Sequence, residues 1–441
     1  MARKKAAGVA RGQVWLLQGG PGGTGAVFAA RFDDEQTEVE RIAEAVPDVD
    51  IYVIEHRGVG LSTRLTCPRQ PGADGPPEGL EECINALKVS WGPKLPYFSS
   101  QAAARDLAAA IDATRAAGQK AFVYGVSYGT YWAIQYLKVR PNDAAGVILD
   151  SVATPGNSFF TEFTLQFDPV AEKLAALCAA DALCAQKMGP DPWARVRSIM
   201  AGVAQGRCLN ELNAKTSRGF ASDADSYHRR VKDAFASLLT ESSINTLLFP
   251  VLYRLERCEA ADLEPISQFF RLIEVGLSSS EASLPGGPGW FKRAARQGSV
   301  VETSVADEVS ALRSQLLRYH IGGSEFYDPA ALSRAEIERR CDDAVFCPSP
   351  TIDVYLRDYW PFYLPPADIW AWPATNVPIL AMNGELDPQT PIESAALVEA
   401  NFRNPTQNFV RVPFATHGLI SSSPLRSDPN ETCGNQMLYA F

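Results

Sequence analysis

Three stretches of this sequence carry residue types that could together activate a serine. Gly125-Val126-Ser127-Tyr128-Gly129 is a G-x-S-x-G between an apolar run, Ala121–Tyr124, and a helix-spaced stretch, Tyr128–Val139. A serine on so sharp a strand-to-helix turn projects its hydroxyl above the sheet edge, and small residues must flank it by two positions. A chance match in a chain of this length is roughly one in seven by composition, so the setting between strand and helix carries the weight. A plain glycine-rich turn leaves that setting unexplained. A serine hydroxyl is a weak nucleophile and needs a histidine base held by a carboxylate. Of four histidines, His417 stands in Phe414-Ala415-Thr416-His417-Gly418, just after the last strand-like run. That is the carboxyl end of a strand, where open parallel sheets build sites. His228 and His320 fall in a helix-rich stretch and read as surface or core residues. His56, in Glu55-His56-Arg57-Gly58, precedes the serine and is a weaker base.

For the acid, Asp387 stands in Asn383-Gly384-Glu385-Leu386-Asp387-Pro388, directly after the run Val377–Met382. Asp150, at the end of Ala145–Asp150, is the alternative, and Glu385 reads as a structural turn residue. Acyl transfer also needs donors for a developing oxyanion. The backbone N–H of Tyr128, next to the nucleophile, is one. The loop Gln18-Gly19-Gly20-Pro21-Gly22-Gly23 can bring a second close, and the expectation falls on the Gly20 N–H. Gly20, Gly22 and Gly25 also satisfy G-x-G-x-x-G, a dinucleotide fingerprint that expects an acid about 20 residues on. The nearest strand-end acid, Glu55, lies 30 residues past Gly25. A dehydrogenase would also leave Ser127, Asp387 and His417 unexplained.

The elements that must hold these residues alternate. Gln13–Gln18 and Asp50–Glu55 read as strands, with helical spacing over Thr37–Val46 between them. Cys67–Ser100 is rich in Pro and Gly and reads as loop. A helix Gln101–Ala117 capped by Ser100, the strand Ala121–Tyr124, the helix Tyr128–Val139 and the strand Ala145–Val152 follow. This rhythm predicts a mostly parallel sheet flanked by helices. From about Pro155 to Trp372 helical spacing dominates. The rhythm resumes with strand Val377–Met382, helix Ile392–Phe402 and strand Asn408–Val412. The expected organisation is one α/β domain in two parts, 13–154 and 373–441, split by a helical cap insertion over 155–372.

The 441 residues are 46% hydrophobic and 21% charged, as in a packed globular protein. Lys and Arg number 41 against 51 Asp and Glu, a net charge of −10. With no basic block beyond Arg3–Lys5, nucleic acid is not an expected partner. No stretch has the 18 or so consecutive apolar residues of a membrane span. Met1–Gly12 is basic without an apolar core, so no signal peptide is visible. Nothing supports a metal or redox cofactor. The nine cysteines contain no C-x-x-C. Cys67 with Cys83, Cys178 with Cys184, and Cys341 with Cys347 lie close enough in sequence for local disulfides, which belong to an oxidising, secreted setting. Buried free thiols are the alternative, and connectivity stays open.

The motifs resemble those of prolyl and tripeptidyl aminopeptidases, serine peptidases of the α/β-hydrolase fold. Gln18-Gly19-Gly20-Pro21-Gly22 resembles their H-G-G-P-G, and Glu55-His56-Arg57-Gly58-Val59-Gly60-Leu61-Ser62 their D-x-R-G-x-G-x-S. Gly125–Gly129 matches the G-x-S-Y-G elbow. Gly384–Pro391 resembles the G-x-x-D-x-x-T-P of the C-terminal region, and His417-Gly418 the final H-G. The order Ser127, Asp387, His417 is that of α/β-hydrolases. The resemblance implies a Ser127–Asp387–His417 triad with an oxyanion hole at Gly20 and Tyr128. It further implies a cap limiting substrate length, with acids binding the ammonium of a short peptide with a free N-terminus. Glu162, Asp168 and Asp358 are candidates by position, against the plainer reading of solvated carboxylates; Trp360 and Tyr359 read as cap core. Gln18 and Glu55 replace the family's His and Asp, which would retune the oxyanion loop. Only 12 residues precede Gln13, and the family carries a further cysteine beyond the position of Cys433. The resemblance thus implies a chain shortened at both ends, with the partner of Cys433 missing. Two other functions fit the sequence: a carboxylesterase or lipase on small acyl esters, and a non-catalytic binding protein of the same fold.

Overall fold

The computed structural model describes residues 1–31, 36–67, 79–215, 219–280, 309, 311–328, 332–348, 360–428 and 431–441. Seven strands form one sheet: β1 (Ala2–Lys4), β2 (Gly12–Leu17), β3 (Val49–Val53), β4 (Lys120–Val126), β5 (Gly146–Asp150), β6 (Ile379–Gly384) and β7 (Gln407–Val412). Their order is β1-β3-β2-β4-β5-β6-β7. All neighbours are parallel except β1, which pairs antiparallel with β3, Ala2 opposite Val53. Every residue of β3 and β5 is buried. That is why these strands read as continuous apolar runs rather than alternations: helices cover both faces.

The helices carry the start signals that their sequences predict. Thr37 and Glu40 form a reciprocal capping box on the helix Glu38–Ala45. Ser99, one residue before the expected cap, accepts from the Ala102 N–H and starts the helix Ser100–Thr114. The helix Tyr128–Val139 runs through the centre, with ten successive residues from Tyr128 to Leu137 buried.

Two expectations are corrected. The Cys67–Ser100 stretch is not only loop, because it contains the helix Leu80–Trp91 and a 3₁₀ segment Gly92–Tyr97. Cys83, Ile84 and Leu87 of that helix are buried at helical spacing. The sequence does not announce the edge strand β1, Ala2–Lys4, in which Arg3 reaches the Asp50 carboxylate at 2.7 Å. The expected helix Ile392–Phe402 is one α-turn, Ile392–Ala395, followed by a 3₁₀ segment, Ala396–Asn401.

Among the described residues, no strand lies between Asp150 and Ile379. The helices there divide between two cores. Those from Phe167 to Ile273 build their own cluster, which also takes in Phe346 and Leu386. Leu316, Leu317, Tyr319, Ile321, Phe326, Trp360 and Ile369 pack instead with the sheet and its central helix.

Four disulfides close loops in the chain: Cys67–Cys83, Cys178–Cys184, Cys208–Cys258 and Cys341–Cys347. The first, second and fourth join the three pairs that lie close in sequence. The third spans 50 residues and no local spacing announces it. Cys433 is a free thiol. Four such pairs fit an oxidising compartment. Among the described residues, no helix is long and apolar enough to cross a membrane.

Candidate active site

Ser127 directly follows β4 and caps the helix Tyr128–Val139 at φ 56° and ψ −125°. A non-glycine residue at positive φ is strained, and the flanking glycines explain how the turn is kept. A Cβ on Gly125 would lie 2.2 Å from the Gly129 oxygen, and one on Gly129 would lie 2.2 Å from the Leu17 oxygen. Both contacts are far inside van der Waals distance, so this backbone path admits only glycine at the two positions. The Ser127 N–H donates to Asp150 O at 2.9 Å. The Thr130 hydroxyl donates to Ser127 O at 2.6 Å and accepts from the Ala153 N–H. The elbow is thereby tied to the segment after β5.

The glycine loop after β2 lies against the elbow. A Cβ on Gly19 would come within 3.3 Å of Ser127 Oγ, and Gly20 lines the same cavity as Ser127 and Tyr128. Tyr128 is the first residue of its helix, where N–H groups have no intrahelical partner. Glu55 secures this loop from behind: it accepts from the Thr24 hydroxyl at 2.6 Å and from the Gly25 N–H at 2.9 Å.

Asp387 and His417 follow β6 and β7. Nδ1 of His417 lies 2.8 Å from Asp387 Oδ2. The same carboxylate accepts from the Thr390 hydroxyl at 2.7 Å and from the N–H groups of Gln389 and Thr390. Asp387 is 1% exposed and His417 8%, so water contributes little to either. Burial alone would lower the His417 pKa. The charge and hydrogen bond of Asp387, with Asp150 and Glu241 behind them, outweigh burial and raise it. Among the described residues no hydrogen bond joins Ser127 to His417. Such contacts are often open in unliganded enzymes and tighten around substrate.

Asp150 does not hold the histidine ring. It is fully buried and accepts from the Leu419 and Ile420 N–H groups, the Tyr124 hydroxyl and the Ser151 hydroxyl. Ser151 in turn accepts from the Gly418 N–H at 2.8 Å. The pair fixes the chain just past His417. Glu385 is a turn residue, its N–H on Val412 O and its own carbonyl held by Lys173.

The other histidines are occupied elsewhere. His56 is buried, with Nδ1 on Arg57 O and Nε2 accepting from the Tyr128 hydroxyl at 3.0 Å. Burial pushes its pKa down to about 4, so it is neutral. His320 is buried between Leu95 O and the Trp360 indole N–H, which makes Trp360 a core residue. His228 is half-buried on the helix Ala224–Leu239.

Of the acids expected at a substrate amine, Glu162 lines the cavity over Ser127. Asp168 faces away, accepting from the Val345 and Phe346 N–H groups. Asp358 and Tyr359 lie outside the described residues. Two residues that the sequence did not single out also reach the site. Glu241, in the turn after the helix Ala224–Leu239, is close enough to His417 for their charges to interact, and burial pushes its pKa up to about 7. Arg318 stands in the cavity wall. Neither sits in a motif, and only the folding of the helical segment over the sheet brings them here.

A mostly parallel seven-stranded sheet with an elbow serine after β4, an acid after β6 and a histidine after β7 defines an α/β-hydrolase fold. The chain has that fold. It is 33% identical to a tripeptidyl aminopeptidase of Streptomyces lividans over 159 residues, 31% of this chain and 28% of that protein. A tripeptidyl aminopeptidase of Streptomyces coelicolor matches equally, over 27% of its length. The matched part thus spans little more than a quarter of these curated relatives. No family model matches the chain. Solved structures similar to it include a monoacylglycerol lipase of Paleococcus ferrophilus, at 12% identity and TM-score 0.36, covering 100% of this chain and 95% of that one. A proline iminopeptidase of Mycobacterium smegmatis has 12% identity and TM-score 0.35, over 94% and 87%.

Proposed function

We propose that the chain is a serine peptidase that releases short peptides from a free N-terminus, with Ser127, His417 and Asp387 as its triad. The observation that carries this reading is the buried His417–Asp387 pair at 2.8 Å beside the Ser127 elbow. Ser127 Oγ attacks the scissile carbonyl. His417 Nδ1 is engaged by Asp387, which leaves Nε2 to take the serine proton and then deliver it to the leaving amine. Asp387 holds that tautomer and stabilises the imidazolium. The N–H groups of Gly20 and Tyr128 stabilise the tetrahedral oxyanion, and water releases the acyl group by the reverse path. The helical segment acts as a cap that limits substrate length. Glu162 offers a carboxylate to the substrate ammonium.

Peptidase action rests on Glu162 and on the partial match to tripeptidyl aminopeptidases. The four disulfides support secretion. A second reading has its own support: Phe159, Phe160, Phe163 and Phe326 line the cavity, and an apolar wall also suits the acyl chain of a small ester. Incubation with peptides bearing free or acetylated N-termini, followed by mass spectrometry, separates the two. Release of N-terminal di- or tripeptides from free-amine substrates alone supports the peptidase. Turnover of nitrophenyl esters without any peptide release overturns it in favour of the esterase.

A further inference from the structure

The helix Gln315–Glu325 is tied to the oxyanion site at both of its ends. At its start the Ser314 N–H donates to Gly22 O at 3.0 Å, on the loop expected to supply the Gly20 donor. A Cβ on Gly22 would lie 2.2 Å from Ser314 O, so the two backbones are in direct contact. At its end stands Glu325, 1% exposed, with its carbonyl held by the Trp370 indole N–H at 2.7 Å. Glu325 Oε1 accepts from the Ser100 N–H at 3.0 Å and from the Tyr363 hydroxyl. Ser100 is the first residue of its helix, where an N–H has no intrahelical partner. Glu325 supplies that partner.

From Ser100 a buried chain of hydrogen bonds runs to the elbow. Ser100 Oγ lies 2.7 Å from the Tyr128 hydroxyl, which lies 3.0 Å from His56 Nε2. His56 Nδ1 lies 2.6 Å from Arg57 O. A carbonyl oxygen only accepts, so Nδ1 carries the proton of the neutral ring and Nε2 accepts. The Tyr128 hydroxyl therefore donates to His56 and accepts from the Ser100 hydroxyl. Ser100, Tyr128 and His56 are all buried, where a lost partner is costly. The peptide between Ser127 and Tyr128 is thus held on both sides. Its carbonyl accepts from the Thr130 hydroxyl at 2.6 Å, and its nitrogen belongs to the residue whose phenol is anchored. The N–H of that same peptide is the expected second oxyanion donor.

We infer that Glu325 is a positioning residue for the oxyanion hole: through Ser100 and the Tyr128 phenol it aims the Tyr128 N–H, while the other end of its helix holds the Gly20 loop. The spacing of the two donors is then set by a helix of the cap segment as well as by the sheet. The inference rests on the serine-nucleophile part of the proposed function and is the same for a peptide or an ester substrate.

The kinetics of Ser127 modification by a fluorophosphonate test it without a known substrate. Ser127 Oγ displaces fluoride from phosphorus, His417 takes the serine proton, and the phosphoryl oxygen enters the oxyanion hole. The maximal rate reads donor alignment, and the half-saturating concentration reads probe binding. In Glu325→Leu, Ser100→Ala and Tyr128→Phe the maximal rate is expected to fall about 10-fold, less than the 10²–10³ of deleting a donor outright. The half-saturating concentration stays unchanged. Glu325→Gln, whose amide oxygen still accepts both bonds, recovers most of the rate. In Glu325→Leu/Tyr128→Phe the loss is no greater than in Tyr128→Phe, because both act through one phenol; independent sites would multiply their losses. Thermal unfolding checks that each variant is folded, and if Glu325→Leu is not, Ser100→Ala with Tyr128→Phe forms the same cycle. A rate unchanged in Tyr128→Phe, a loss in Glu325→Gln as large as in Glu325→Leu, or losses that multiply overturn the inference. Those failures occur in a protein that labels at Ser127, whereas absence of labelling in the unaltered protein overturns the nucleophile reading and the inference with it.

Discussion

Asp387 Oδ2 accepts from His417 Nδ1 at 2.8 Å and from the Thr390 hydroxyl at 2.7 Å. One buried oxygen thus fixes both the tautomer of the histidine and the orientation of its own carboxylate. Asp387 is also what turns the His417 pKa upward against burial. A catalytic base must be neutral, so kcat/KM is predicted to rise with pH along a limb whose midpoint lies above the ordinary 6.5. In Asp387→Asn, burial, already the largest single influence, loses its main opposition and draws the pKa downward. The limb then moves to lower pH while kcat falls about 10⁴-fold. A pH–rate profile of the two proteins checks both movements.

Glu241 gives a smaller change in the same direction. Its negative charge favours the protonated form of His417. In Glu241→Gln the limb is therefore predicted to shift to lower pH with most of kcat retained. A limb that stays where it was removes Glu241 from the electrostatics of the site.

The elbow predicts an intolerance of single methyl groups. In Gly129→Ala the new carbon would fall 2.2 Å from Leu17 O, a backbone atom that cannot rotate away. The strand and helix must separate, at a cost of about 1–3 kcal/mol, and Ser127 loses its place. Chemical denaturation and ester turnover should both register this change.

Asp150 is predicted to act through position rather than chemistry. Replacement by Asn leaves one of its backbone N–H partners at Leu419 or Ile420 facing an amide donor. Stability should fall by about 1–3 kcal/mol, and kcat should drop as the segment after His417 loosens. Asp387 still holds the ring, so the pH limb persists, but it moves to lower pH because the Asp150 charge also raises the His417 pKa.

Removing the Cys208–Cys258 disulfide by paired serine substitution opens a 50-residue loop. The expected loss is about 2–4 kcal/mol, concentrated in the helices of the second core. Cys433→Ser should leave the melting temperature unchanged. Calorimetric melts of both variants make the comparison.

The sequence made the parallel strands legible because they are buried on both faces and stand out as short apolar runs. The elbow was legible because its glycines are required by atoms 2.2 Å away. Strand β1 was not, since Ala2–Lys4 is an exposed edge whose pairing with β3 leaves no apolar pattern. The helix Leu80–Trp91 was hidden by the Pro- and Gly-rich residues before it. Asp387 and His417 could be named from their place after strands. Glu241 and Arg318 could not, because their positions relative to Ser127 depend on how the helical segment packs over the sheet. Leu386 makes that coupling concrete: it sits beside Asp387 in sequence and packs into the core of the helices Phe167–Ile273.

The central claim is that Ser127 is a nucleophile activated by His417 and Asp387. Labelling with a fluorophosphonate probe, with the modified peptide located by mass spectrometry, tests it most directly. The account predicts stoichiometric modification at Ser127, abolished in Ser127→Ala and slowed by orders of magnitude in His417→Ala. A folded protein that takes no label, or takes it equally in Ser127→Ala, would contradict the account and leave the fold as a non-catalytic scaffold.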